Sequence, residues 1–284
     1  MKAYDLWIVD SFTDRAFRGN PAGVYRSSEL PNETMMQNLA FELNLSETAF
    51  LCSANGRQEP GFESAAYDIR FFSPKKEIPL CGHATLASAK VVFEHSDARQ
   101  VTFQTASGLQ VPVRRMGDEI EMRFPVYELE DAEAPQSLLS ALDVSKTIYT
   151  GFNLETQILM IEIESAERLR ELSPNSSALL DSCDSINGHR LHGVSVTAQA
   201  DDEFDFHSRF FWPWSGGDED PVTGGTHTFL AKYWAEKLGK KSLRSFQSSP
   251  RTGQMEVELA SDESLYIRGK AIVILDAKLR EELS

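Results

Sequence analysis

Residues 82–95 of this 284-residue chain read GHATLASAKVVFEH, a run with helical character that is apolar on nearly every side. A helix with one apolar stripe can lie on a protein surface, whereas a helix without a polar face has to be covered by other elements. The sequence therefore predicts a buried central helix. Gly82 begins this predicted helix, with Cys81 directly before it and His83 directly after it.

A similar phrase precedes a second apolar run in the other half of the chain. Residues 79–82 read PLCG and residues 221–224 read PVTG, at an offset of 142 residues, which is half of the chain length. Each phrase follows acidic residues, and the second leads into a helix predicted near residues 225–239. One short match could arise by chance, but strand-like and helical runs also recur in a similar order from about residue 117. The pattern favours two similar domains, each with strands around one central helix.

Most of the remaining runs predict strands, because they are rich in β-branched and aromatic residues and are bounded by turn residues. An additional helix is predicted after Asn32, which is suited to cap it. The strand-like runs lie at 4–12, 47–52, 67–73, 156–164, 193–199, 206–212, 254–261 and 264–275, with a three-run meander over 100–125. The predicted fold class is therefore α/β of the α+β type, with a mostly antiparallel or mixed sheet in each domain and a soft boundary near residue 116.

Composition excludes several classes of protein. The chain is 41% hydrophobic, which is typical of a globular protein, and its formal charge of −15 opposes binding to nucleic acid or to an anionic membrane. No apolar run approaches the roughly 20 residues that span a bilayer. The three cysteines, without a close pair, favour a reducing cytoplasm over a disulfide framework. No nucleotide, flavin or zinc motif is present, so we predict neither a cofactor nor a metal site.

The two predicted helix starts could bind an anion. Free backbone N–H groups and the positive end of a helix dipole stabilise a carboxylate or a developing oxyanion, and Gly82 and Gly224 would let a ligand approach the backbone. The alternative is that these glycines only ease tight turns between a strand and a helix. Spacing alone leaves both interpretations open.

Four side chains could carry chemistry, and each has a simpler explanation. Glu47 lies between apolar residues, which would raise its pKa towards that of a proton shuttle, but local sequence alone favours a surface glutamate at a helix end. His83 could donate or accept a proton or fill a core position. Cys81 could be a thiolate activated by the helix start or an inert buried thiol. Asp220 could hold a substrate or cap a helix.

Four phrases, in order, give the chain a specific resemblance. DSFTDRAFRGNPAGV, LSETAFL, IRFFSPKKEIPLCGHATLASA and EDPVTGGTHTFLAKYW resemble the phenazine-biosynthesis isomerase (PhzF-like) family, and the closing YIRGKAIVIL fits as well. These phrases span residues 10 to about 275, so the resemblance covers essentially the whole chain. It implies a diaminopimelate-epimerase-like fold, an active site between two similar domains and a homodimer.

The resemblance also implies domain limits, since the C-terminal segment would return to the first domain. We therefore expect an N-terminal domain over 1–116 plus about 275–284, and a C-terminal domain over 117–274. The family's functional positions fall on named residues of this chain. The implied catalytic residues are Glu47 as general acid and base, with His83 and Asp220, and the implied substrate-binding residues are Asn20, Ser46, Cys81, Gly82, Gly224 and Gly225.

Two departures from the family pattern affect the chemistry. The family often has serine after the second glycine of TGS, where this chain has Gly225, so one hydrogen bond to substrate could be missing. Related two-thiol epimerases have a second cysteine where this chain has Thr223. Threonine cannot act as that base, which disfavours the two-cysteine mechanism but leaves a one-thiol scheme open.

The predicted function is that of a cofactor-independent isomerase, which moves a proton between carbons of a small anionic cyclic metabolite. An amino-acid epimerase or racemase that uses Cys81 is one alternative. The other is a non-catalytic protein that binds a small anion at the helix starts.

Overall fold

The structure is a computed structural model that describes residues 4–53 and 64–279. The chain divides into two compact units, one formed by Met1–Phe124 with Ile267–Ser284 and the other by Pro125–Tyr266. The first limit differs from the expected one near 116 because the third run of the predicted meander belongs with the first unit. The second limit lies at 267 and not near 275, because most of the closing run belongs with the first unit as well. Among the described residues, no helix has the length and apolar character to cross a membrane.

The described residues of the first unit form two helices and nine strands. The helices are α1 (Glu33–Leu43) and α2 (Gly82–Glu94). The strands are β1 (Tyr4–Ser11), β2 (Asn20–Ser27), β3 (Glu47–Ser53), β4 (Ser64–Phe72), β5 (Glu77–Ile78), β6 (Gln100–Thr105), β7 (Gln110–Met116), β8 (Glu119–Pro125, which contains the division) and β20 (Ala271–Leu279). The predicted cap of α1 is confirmed, because Asn32 accepts a hydrogen bond from the Met35 N–H at 2.9 Å.

The strands of the first unit form a mixed sheet in the order β20-β1-β2-β3-β4-β6-β7-β8. Antiparallel pairs dominate, and two pairs are parallel, β2 with β3 and β4 with β6. The chain reaches each parallel neighbour through a helix, α1 in the first case and α2 in the second, as parallel pairing requires a long crossover. The C-terminal strand β20 pairs with β1, as the family resemblance implied.

Helix α2 is the centre of the first unit. It packs against β1, β2, β3, β6 and β20, and ten of its thirteen residues are buried. Only Glu94 at its last position is exposed. The prediction of a helix without a polar face, covered by strands, is confirmed for this element.

The second unit repeats much of this plan with more, shorter helices. Its helices are α3 (Gln136–Ala141), α4 (Ala166–Glu171), α5 (Ser176–Ser182) and α6 (His227–Leu238). Its strands are β9 (Glu130–Asp131), β10 (Tyr149–Asn153), β11 (Ile158–Glu162), β12 (Ser185–Ile186), β13 (His189–Arg190), β14 (Gly193–Gln199), β15 (Phe206–Phe211), β16 (Glu219–Asp220), β17 (Ser242–Gln247), β18 (Gly253–Ser261) and β19 (Ser264–Gly269, which contains the second division).

The order of pairings in the second unit matches the first strand by strand. β10, β11, β14, β15, β17 and β18 pair in the same alternation of directions as β1, β2, β3, β4, β6 and β7. The short strand before each central helix also pairs in the same way, β5 with β4 and β16 with β15. The predicted internal repeat is thus present in the topology of each unit.

The second central helix departs from the prediction in two ways. It begins at His227 and not at a glycine, because residues 224–226 form a tighter turn in which the His227 N–H donates to Gly224 O at 3.1 Å. It also has a partly polar face, since Lys232 is half-buried and Glu236 and Lys237 are exposed. The starts of α6 and α2 nevertheless share one hydrogen bond, from a side chain in the first turn to the carbonyl four residues earlier. The His227 side chain bonds to Thr223 O at 2.9 Å, and the Thr85 side chain bonds to Cys81 O at 2.7 Å.

A paired arginine and glutamate fix the loop before each central helix. In the first unit Arg70 on β4 donates two hydrogen bonds to Glu77, at 2.7 and 2.6 Å. In the second unit Arg209 on β15 donates two to Glu219, at 2.8 and 2.9 Å. Each guanidinium also lies over the ring of the phenylalanine two residues later. The sequence does contain a signal for this repeated pair, the phrase RFF at 70–72 and again at 209–211. The comparison at an offset of 142 residues did not align the two phrases.

The two pairs differ in burial, which predicts unequal effects on stability. Arg209 is 9% exposed and also donates to Leu172 O at 2.7 Å, whereas Arg70 is 22% exposed and has Glu33 as a second partner. Replacing Arg209 with Ala leaves the Glu219 carboxylate, only 15% exposed, without its partner and should lower the free energy of unfolding by about 3–5 kcal/mol. Arg70→Ala should cost about 1–2 kcal/mol. Urea unfolding of both variants tests this, and equal losses would contradict it.

Candidate functional site

A buried carboxylate and a buried imidazole meet in the first unit. Glu47 is the first residue of β3, and His83 lies in the first turn of α2. Glu47 Oε2 lies 3.1 Å from His83 Nε2, and the two residues are only 4% and 5% exposed. Local sequence alone favours a surface position for Glu47, and that interpretation is wrong.

Cys81 and Asn20 complete this group. Cys81 is the residue before α2, and its Sγ lies 3.3 Å from His83 Nδ1 and 3.7 Å from Glu47 Oε2. The Asn20 amide nitrogen lies 3.2 Å from the same Nδ1. The structure thus brings together four of the predicted site residues, which come from β2, β3 and the start of α2.

The β1–β2 pair holds Asn20 and His83 in position. Ser11 lies directly opposite Asn20 in the antiparallel register, and its hydroxyl donates to His83 O at 2.7 Å. Both residues are fully buried. Ser11 was not among the predicted site residues. Its phrase DSF belongs to the family pattern, but nothing local marked this serine as a partner of the helix start.

Burial keeps the Cys81 thiol protonated at neutral pH. Burial is the largest influence and raises the pKa of Cys81 to about 11, with a further increase from the charge of Glu47. His83 and a hydrogen bond from the Ala84 backbone lower the pKa, but by less. A thiolate base activated by the helix start, which the sequence allowed, is therefore not the resting state of this residue.

His83 is favoured in its protonated form. Burial alone would lower the pKa of His83, but interactions with Cys81 and Glu47 outweigh burial and raise its pKa well above the usual value. With a proton on Nε2, the His83 ring donates to the Glu47 carboxylate at 3.1 Å. When Nδ1 carries no proton, the Asn20 amide nitrogen can donate a hydrogen bond to it. When Nδ1 carries a proton, the amide can rotate by half a turn and accept that hydrogen bond with its oxygen.

Two more predicted residues border this group. Ser46 is half-buried in the bend directly before Glu47, and Gly82 is the first residue of α2. Backbone N–H groups of the first turn of α2 can serve an anion, although the roles of Ser46 and Gly82 stay predictions.

The remaining predicted residues lie in the second unit. Asp220 is buried on β16 and accepts a hydrogen bond from the Thr223 hydroxyl at 2.5 Å. Gln247, buried on β17, fixes this loop at both ends: its amide nitrogen donates to Asp220 O at 2.7 Å, and its oxygen accepts from the Thr223 N–H at 2.8 Å. Sequence reasoning missed Gln247, because nothing near it in the chain marks it as a loop anchor.

The two departures from the family pattern lie at Thr223 and Gly225. Thr223 bonds to Asp220 and thus has a structural task at the position where a second thiol would stand. Gly225 lies in the turn before α6, and a side chain added there would meet no atom within 4 Å. That the Asp220 group and the Glu47 group act on one substrate stays a prediction.

Comparison with known proteins identifies the family. The profile of the family described as "Phenazine biosynthesis-like protein" matches residues 9–277. The chain belongs to this family. It is 39% identical to an uncharacterized isomerase of Halalkalibacterium halodurans, over 98% of this chain and 99% of that protein. The prediction of an isomerase of the PhzF-like family is therefore confirmed at that general level.

Solved structures agree with this assignment. A PhzF family protein of Enterococcus faecalis superposes with a TM-score of 0.87 at 33% identity, covering 99% of this chain and all of that chain. A hydroxyproline epimerase of Agrobacterium vitis has a TM-score of 0.60 at 13% identity, covering 98% and 92% of the two chains. The second likeness shows the fold alone, and the predicted epimerase-like fold is confirmed.

The backbone at Gly19 determines where Asn20 is placed. Gly19 has a φ of +68°, and an added Cβ would lie 2.1 Å from Ser11 O. Gly108→Ala is a matched control, because Gly108 has a φ of +84° but no atom within 4 Å of an added Cβ. Gly108→Ala should cost about 1–2 kcal/mol of stability from the left-handed backbone. Gly19→Ala should cost at least about 2 kcal/mol more, and chemical unfolding that gave equal costs would refute this account.

The open space at Gly225 predicts that the family's serine is tolerated. Gly225→Ser should change the free energy of unfolding by less than about 1 kcal/mol, since exposed or open positions accept substitution. Gly193→Ser is the contrasting variant, because a Cβ on this first residue of β14 would lie 2.6 Å from the Phe210 ring and 2.9 Å from Phe211 O. Thermal unfolding should separate the two variants, and a large loss in Gly225→Ser would show that the turn has no room.

Proposed function

We propose that the chain moves a proton between two carbons of a small anionic cyclic metabolite, without a cofactor, and that Glu47 is the general acid and base. The observation that supports this most directly is the contact of buried Glu47 with buried His83 at 3.1 Å. A buried carboxylate whose position is fixed by a hydrogen-bond partner is placed to take a proton from a bound substrate and to return it. The family membership supports the same class of reaction.

The proposed reaction uses one carboxylate twice. Glu47 takes a proton from a ring carbon, and the electron pair of the broken C–H bond enters the adjacent unsaturated system of the substrate. A different carbon of that system then takes the proton back from Glu47. The product is an isomer of the substrate, and the enzyme returns to its starting state.

His83 and Asn20 are proposed to position this carboxylate. A hydrogen bond from His83 Nε2 to Oε2 leaves the second carboxylate oxygen to face the substrate. Asn20 holds the far side of the imidazole at 3.2 Å, and Ser11 holds the His83 backbone at 2.7 Å. A carboxylate fixed in this way does not need to reorganise before it accepts the proton.

The anionic group of the substrate is proposed to bind at the start of α2. The backbone N–H groups of Gly82 and its neighbours stabilise negative charge, which compensates locally for the acidic character of the whole chain. Ser46, Gly224 and Gly225 are proposed as further substrate contacts. Asp220 is proposed to hold a polar group of the substrate, in an orientation fixed by Thr223 and Gln247.

Hydrogen exchange with solvent tests the role of Glu47. In heavy water, a panel of unsaturated cyclic amino acids and hydroxy acids should contain substrates that take up deuterium at carbon. Glu47→Gln should slow this exchange by about 10²- to 10⁴-fold, because the amide cannot accept the proton. Glu42→Gln, on the exposed side of α1, is the matched control and should leave the rate unchanged.

Variants of Cys81 separate the alternatives. Exchange that survives in Cys81→Ala but is lost in Glu47→Gln supports the isomerase proposed here. The reverse pattern supports an epimerase that uses the thiol. Thermal stabilisation by a ligand of the panel, with no exchange into any ligand by the unmodified protein, supports a non-catalytic anion-binding protein.

The assembly and location of the protein complete the proposal. We propose a cytoplasmic homodimer, on the basis of the family resemblance and of the three free cysteines Cys52, Cys81 and Cys183. Sedimentation equilibrium at micromolar concentration tests the dimer.

A further inference from the structure

Three different metal-binding atoms converge in the first unit. Glu47 Oε2 and His83 Nε2 are 3.1 Å apart, Glu47 Oε2 and Cys81 Sγ are 3.7 Å apart, and Cys81 Sγ and His83 Nε2 are 3.9 Å apart. In the plane of these three atoms, the point that is equally far from all of them lies about 2.1 Å from each. This distance is close to the roughly 2.0–2.3 Å at which Zn²⁺ binds nitrogen, oxygen and sulfur. The triangle has the size of one face of a tetrahedral zinc site before any side chain moves.

We propose that Glu47, Cys81 and His83 form a binding site for a thiophilic divalent cation, Zn²⁺ in particular, and that the bound ion blocks proton transfer by Glu47. Three protein ligands leave a fourth position for water or for an anion of the substrate. The ion is an inhibitor in this proposal and not a cofactor. A carboxylate oxygen that is bonded to Zn²⁺ cannot at the same time accept a proton from carbon.

The donor set selects for Zn²⁺ over the abundant hard cations. Thiolate and imidazole suit zinc and its neighbours, whereas Mg²⁺ and Ca²⁺ require oxygen ligands, of which this group supplies one residue. All three ligand residues are buried. The formal charge of −15 also raises the local concentration of cations around the whole chain.

The surroundings of His83 fit a ligand role as well. A zinc-bound histidine commonly donates its other ring N–H to an oxygen, and the Asn20 amide lies 3.2 Å from Nδ1. On binding, the thiol proton and the His83 Nε2 proton leave to solvent, His83 keeps its proton on Nδ1, and the amide turns its oxygen to that proton. The start of α2 opposes a bare cation but stabilises the thiolate that binds it.

A second cluster in the described part of the chain provides a discriminating comparison. The possible ligand atoms of Asp201, Asp202 and His207 lie within 4.8 Å of one another, but two of these residues are exposed and none offers sulfur. A metal at that cluster would have only oxygen and nitrogen ligands. A spectroscopic signature of sulfur therefore distinguishes the two places.

Cobalt titration of the full-length, metal-free protein tests the site. Co²⁺ should bind in a one-to-one ratio and give the near-ultraviolet thiolate-to-cobalt charge-transfer band, which Zn²⁺ should remove by displacement. Cys81→Ser should lose the band and weaken Zn²⁺ binding by at least about 100-fold. Cys183→Ser, which removes a half-buried thiol of the second unit, should retain both the band and the affinity.

Several results would overturn the proposal. These are cobalt binding without the charge-transfer band, a band that persists in Cys81→Ser, and no binding at millimolar cobalt. Glu47→Gln provides a second variant that keeps the thiol, and it should weaken Zn²⁺ binding by at least about 10-fold even if Cys81→Ser fails to fold. Circular dichroism establishes folding of each variant.

The metal site and the proposed function can fail separately. Cobalt binding is measured without substrate and does not depend on the isomerase activity. Inhibition does rest on the proposed function: Zn²⁺ should abolish deuterium uptake, and a chelator should restore it. Zinc that occupies the site with full exchange activity would refute the inhibitory role and leave the metal site standing.

Discussion

The covering of helix α2 is the constraint on which the first unit depends. Because nearly every side of this helix is apolar, a flat sheet on one face would leave much of it exposed to water. Strands from both ends of the chain enclose it instead. The polar atoms of its first turn then lie beside residues at the ends of β1, β2 and β3. Enclosure of the helix thus brings a carboxylate, a thiol, an imidazole and an amide together out of bulk water.

The two units share a topology but not the reactive side chains near the central helix. Both units keep the strand pairings, the arginine–glutamate pair before the central helix, and the bond from a side chain in the first turn to the carbonyl four residues earlier. Where the first unit has Cys81, the second has Thr223 in a loop fixed by Gln247, and where β3 begins with Glu47, its counterpart β14 begins with Gly193. The features that the two units share fix the course of the backbone. The side chains that differ between the units are those that could act on a ligand. The first unit therefore carries the proton-transfer groups of the proposed reaction.

Sequence patterns predicted what depends on local periodicity or on long family phrases. The extent of α2, the cap at Asn32, most strands and the isomerase family could all be predicted, since each leaves a continuous signal. The starting point of α6 could not, because Gly224–Thr226 can form either a first helical turn or a tighter one, and tertiary packing decides. Ser11 and Gln247 could not be predicted for another reason: each bonds to a segment that is distant in the chain, and no spacing in the sequence records that contact.

The position of β20 has a consequence for synthesis of the protein. Strand β1 lies between β2 and β20, so one edge of β1 has no partner until β20 has been synthesised and has left the ribosome. The second unit, which is continuous in the chain, is complete before the first, so the usual order in which the N-terminal domain folds first is reversed. During translation the nascent protein presents an open strand edge, which chaperones or a second nascent chain could occupy. Premature termination after residue 270 would leave that edge uncovered permanently.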